Sequence, residues 1–125
     1  MQSADFLTVA ECAEVDQALM TSQDKFAARV AIYALRSLKL IAEQQQMAIH
    51  DLNPEQIEDW VYQDQSLEGD IDRDFRSFFA QMVVSSRKPL QQAAANADVA
   101  IEDLTVSHVV KWFEQAAKVR LQQNQ

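Results

Sequence analysis

The chain has 125 residues, 48% apolar and 24% charged, with a formal net charge of −8, one glycine, two prolines and one cysteine. That length suits one domain of ordinary size, and so little glycine and proline excludes glycine-rich phosphate loops and a hairpin-rich β fold. The acidic balance argues against direct nucleic-acid binding, and the lone Cys12 cannot form an internal disulfide.

Apolar spacing is helical nearly throughout and predicts five helices, at about 8–20, 23–46, 53–65, 70–97 and 105–122. The first begins at Thr8, which with Glu11 has the spacing of a capping box. The second is apolar on two stripes, Phe26, Val30, Tyr33 and Ile41 on one and Ile32, Leu35 and Ala42 on the other. A helix apolar on more than one face belongs at the centre of a bundle. The third opens on Asn53-Pro54-Glu55-Gln56, which supplies a cap, a proline at the first helical position and a glutamine at N3. In the fourth, Phe75, Phe78, Phe79, Met82 and Val83 fall at i, i+3, i+4, i+7 and i+8. Pro89 lies inside it, which predicts a kink, or a break with Ser85 or Ser86 capping a new helix at Lys88. The last follows Thr105 and carries Val106, Val109, Val110, Phe113, Ala116 and Ala117 on one face. The expected fold class is all-α, a compact bundle of about five helices forming a single domain over residues 1–125.

Targeting signals are not evident. The first basic residue is Lys25, and the longest apolar run, Val30 to Leu35, is far short of the roughly 20 residues that span a bilayer. The expectation is a cytoplasmic protein with no membrane contact.

Shifted by 52 residues, the sequence matches itself. Comparing 24–66 with 76–118 without gaps, ten of 43 positions are identical. They include Phe26/Phe78, Leu38/Leu90, Ile49/Ile101, Leu52/Leu104 and Trp60/Trp112. The repeated unit is a long helix, a turn of the form [MV]-A-I-x-D-L, a polar cap and a shorter helix with a tryptophan eight residues after its leucine. Leu52 and Leu104 sit where a hydrophobic staple would hold the next helix, near Ile57 and Val109. Asp51 and Asp103 are placed to accept amides of the turn, and Trp60 and Trp112 to act as large core anchors. Two copies are too few for a solenoid and suit a compact bundle with internal two-fold symmetry.

No motif assembles a reactive site. His50 and His108 do not correspond in the repeat, and the sequence has neither H-x-x-x-H nor C-x-x-C spacing, so no metal is expected. Asp70, Asp72 and Asp74 have the opening of a calcium loop, but Phe75 stands where that loop needs glycine and Gln81 where it needs glutamate. Cys12 has no basic neighbour, and Ser85 and Ser86 lack a nucleophile elbow. A helix-turn-helix reading fails because some ten residues separate its two helices and its recognition helix carries Glu55, Glu58 and Asp59. No enzymatic activity and no cofactor are expected.

Charge is unevenly spread. Residues 47–74 hold nine acidic side chains and one basic, whereas 25–46 sum to +3. A solvated face is the simplest account of such a block. The functional account is docking, with Glu55, Glu58, Asp59 and Asp64 meeting a partner protein that has a basic surface. Arg29, Arg36 and Lys39 form a basic stripe that suits an acidic patch, that of a second copy included, which leaves a homodimer open. The expected function is therefore a non-enzymatic protein-protein interaction module: an adaptor, assembly factor or regulatory subunit. The alternative is an acidic antagonist of nucleic-acid-binding proteins, of the antitoxin or DNA-mimic type.

Overall fold

A computed structural model of the chain describes residues 7–64 and 73–123. Its helices are α1 (Val9–Gln17), α2 (Ser22–Gln45), α3 (Pro54–Gln63), α4 (Arg73–Ser85), α5 (Arg87–Ala97) and α6 (Val106–Gln123). Two single 3₁₀ turns, Ile49–Asp51 and Ile101–Asp103, precede α3 and α6. Among the described residues there is no strand. The protein is all-helical, and α4 with α5 fills the place of the expected fourth helix, so counting that pair as one broken element leaves five.

α2 occupies the centre because its sequence offers no polar face wide enough to stay in water. Residues from Ala28 to Ala42 are buried on almost every side, including Val30, Ile32, Tyr33, Leu35, Leu38 and Ile41. Each of the other five helices packs on it. These five form an open ring in the order α3, α4, α5, α6, α1, each touching the next. Buried side chains from Leu7 to Val110 make one continuous cluster, against which Trp60 and Trp112 pack at its margin. Neither tryptophan is fully buried, so the expectation of two large core anchors is corrected: the largest fully buried side chains are Tyr33, Phe79, Ile32, Leu38 and Ile41.

The helix starts follow their sequence signals. Thr8 and Glu11 exchange side-chain and backbone bonds at α1, and Asn53 and Gln56 do the same at α3 with Pro54 in the first turn. At α6 the Thr105 hydroxyl accepts from the His108 amide while His108 Nδ1 accepts from the Thr105 amide, at 3.2 and 3.1 Å. His108 thus takes the N3 place that Glu11 and Gln56 hold elsewhere.

Both long helices that precede a 3₁₀ turn end the same way. Gln46 and Asp98 adopt left-handed backbone, φ 55° and 59°. Met47 and Val99 then donate back to the carbonyls of Ala42 and Ala94, each at 3.0 Å. The turn amides of Asp51 and Asp103 bond to Ala48 and Ala100, and those of Leu52 and Leu104 to Ile49 and Ile101. Asp51 and Asp103 are exposed, and backbone carbonyls serve the amides their side chains were expected to cap. A left-handed residue with a Cβ costs about 1–2 kcal/mol. Gln46→Gly is therefore expected to stabilise the protein by about 0.5–1 kcal/mol after glycine's own entropy loss, seen as a higher urea midpoint.

Between α4 and α5 the chain breaks at Ser86, not through a serine cap. Ser86 has helical backbone angles and makes no cap bond; its hydroxyl donates to the Met82 carbonyl at 2.8 Å. Pro89 falls in the first turn of α5, where its missing amide would have lacked a partner in any case. The proline therefore starts a helix more than it distorts one.

An acidic face on α3

α3 turns Ile57 and Val61 into the core, each 0% exposed, and the rest of its surface follows from that rotation. Glu55 and Asp59 lie exposed one turn apart. Glu58 is half-buried and accepts a hydrogen bond from the Gln81 amide of α4 at 2.7 Å. Glu55, Glu58 and Asp59, at i, i+3 and i+4, share one side of the helix. Asp64 stands apart at the C-terminal end, half-buried, where it accepts the Tyr33 hydroxyl. From Met47 to Asp64 the chain holds five carboxylates and neither lysine nor arginine, so nothing within the segment neutralises this face.

Two devices hold α3 in place. The Arg76 guanidinium donates from one nitrogen to the carbonyls of Val61, Tyr62 and Asp64, each at 3.2 Å. These are carbonyls the helix end cannot satisfy itself, and a cation there also meets the negative end of the helix dipole. Tyr33, 1% exposed, meets the Phe79 ring at a tilt, with centroids 5.0 Å apart, and lies under the Arg36 guanidinium while its hydroxyl reaches Asp64. Burial and the neighbouring Asp64 carboxyl push the Tyr33 phenol well above its ordinary value of 10.0. An unfolded tyrosine releases its proton near pH 10 while the folded one keeps it, so this site loses stability as pH rises beyond that point. Tyr33→Phe is expected to flatten the alkaline limb of a stability-versus-pH curve; parallel curves for the two proteins would refute that assignment.

The basic stripe of α2 turns inward on its own chain. Arg29 pairs with Asp16 at 2.7 Å and Arg36 with Glu11 at 3.0 Å. Lys39 donates to the Leu104 carbonyl at 2.9 Å, and Arg87 to the Leu52 carbonyl at 3.0 Å. Glu102 accepts the Ile49 amide at 3.0 Å, and that bond holds its carboxyl below the usual range. The two 3₁₀ turns are thus closed by groups from the other half of the chain. Sequence reasoning did not find Arg76 or Arg87, because their partners are backbone oxygens, which no side-chain pattern advertises.

The aspartates at 70 and 72, and the acidic block's Glu68, lie outside the described residues. Among the described residues no group of three His, Cys, Asp or Glu side chains is placed to hold a metal ion. Nor is any helix among them long and apolar enough to cross a membrane.

Residues 7–120 match the family model described as NDH complex assembly factor CRR9. The chain belongs to the CRR9 family. The match runs from the α1 cap almost to the end of α6, so the family covers the whole described bundle and not one motif within it. No curated protein and no solved structure matches the chain. An assembly-factor family implies contact with other proteins, and in this member α3 offers exposed carboxylates on a helix held at its C-terminal end.

Proposed function

We propose that this CRR9-family protein is a non-enzymatic assembly factor that binds components of the NDH complex through the acidic side of α3. The observation that carries this reading is the family match over residues 7–120. Glu55, Glu58 and Asp59 form the contact, Asp64 adds charge at the helix end, and the partner presents lysines or arginines. Complementary charge of this kind speeds encounter and rejects wrong partners. Both fixing devices support the reading, because a rigid face loses little conformational entropy when a partner docks.

The supporting scaffold, in this proposal, is one domain built from a duplicated unit, copies 24–66 and 76–118. Ten identities at an offset of 52 support it, as do the left-handed residues Gln46 and Asp98 and the matching turn bonds at the same offset.

The test is recovery of the tagged full chain from native extract at low and at high salt, with its partners identified by mass spectrometry. NDH complex subunits or their precursors are expected at low salt and are depleted at high salt. Recovery of nucleic-acid-binding proteins in their place would favour the acidic antagonist and overturn the assembly reading.

A further inference from the structure

Phe78 lies in the most regular apolar stripe of the sequence, yet it is 58% exposed while Phe79 and Val83 beside it are 1% and 0%. It stands at the edge of an open groove of about 420 Å³ lined by α2, α4, α5 and α6. Val30, Met82, Pro89 and Phe113 supply apolar lining, and the side chains of Phe78, Gln81, Met82 and Ser85 line it from one face of α4. The volume lies in the range of pockets that take ligand groups, and an exposed aromatic beside such a groove is the usual anchor of a protein contact.

We propose that this groove receives an amphipathic helix of the partner protein, basic where it passes α3 and acidic where it passes the start of α5. The proposal rests on the α3 reading above and extends it. Gln81 joins the two surfaces, since it lines the groove and donates to Glu58. One edge of the groove therefore borders the carboxylate of Glu58, which shares a side of α3 with Glu55 and Asp59. One turn further along the same α4 wall, Ser85 opens onto an adjoining depression lined by Arg87 and Lys88, the latter exposed. Along that wall the bordering charge changes from a carboxylate to cations, which sets the charge pattern of the occupant along its length.

The occupant is a helix because of what the walls lack. Its walls are helices whose backbone groups are mostly bonded along the helix, and among the described residues no strand edge is present. An extended segment would find no ladder for its amides, whereas a helix satisfies its own and offers side chains at i, i+3 and i+4.

The test installs a photoreactive phenylalanine analogue at Phe78 in the full chain, and separately at Asp59, in cells that make the protein. Cross-linked peptides are then sequenced. Both positions are expected to label one segment of a partner protein, with apolar residues at helical spacing, Lys or Arg toward one end and Asp or Glu toward the other. That segment, synthesised, should bind Phe78→Asp at least about tenfold more weakly than the parent chain, with the helical spectrum unchanged because the site is exposed. Labelling from Asp59 alone, or unchanged affinity of Phe78→Asp, overturns the groove and leaves the α3 reading standing. A second copy of the chain, or a segment without that charge pattern, at Phe78 overturns the groove as well. No labelling from either position overturns both.

Discussion

Leu38→Ala and Leu90→Ala are each expected to destabilise the protein by about 2–5 kcal/mol, read from urea unfolding midpoints at unchanged slope. Both leucines are 0% exposed, one in the middle of α2 and the other in the first turn of α5 where it meets the core. Removing either leaves a cavity that packed helices on several sides cannot close. Total stability of a domain this size is about 5–15 kcal/mol, so one such change removes a large share of it. Trp60→Ala and Trp112→Ala are expected to cost less than either leucine, because both indoles sit at the margin of the cluster. A tryptophan variant less stable than both leucine variants would show that the margin, not the centre, holds the bundle together.

That ordering also separates what local residue chemistry dictates from what packing decides. Helical class, the central place of α2 and the caps at Thr8, Asn53 and Thr105 follow from local chemistry: periodicity, and short side chains next to unpaired amides. The depth of each apolar side chain does not, because it depends on which helix lies opposite. Phe78 and Phe79 differ by one position and by almost their whole exposure, which only the packing of α4 decides. On α3 the outward placement of Glu55 and Asp59 was legible from the rotation set by Ile57 and Val61. The engagement of Glu58 by Gln81 and of Asp64 by Tyr33 was not, since both partners are distant in sequence.

The second large effect concerns binding. Glu55→Lys combined with Asp59→Lys is expected to slow association with the partner by about tenfold or more at low salt, and far less at high salt. The pair omits Glu58 and Asp64 because each accepts a bond that helps to place α3. Glu55 also lies in the first turn, where reversal loses a favourable helix-dipole interaction of about 0.3–1 kcal/mol, and Asp59 is exposed. The variant should therefore fold, and surface plasmon resonance over a salt series separates rate from stability. Association rates that match the parent protein at every salt concentration would show the acidic side to be merely hydrated.

The crossed closure of the two 3₁₀ turns bears on how the molecule comes into being. Lys39 reaches Leu104, Arg87 reaches Leu52 and Glu102 reaches Ile49, so neither turn is complete until both halves of the chain have met. Folding is then a single cooperative event that waits on contacts distant along the chain. Produced as separate fragments, residues 1–68 and 69–125 should each lack stable helix and regain it on mixing, as two strangers that fold only in each other's company.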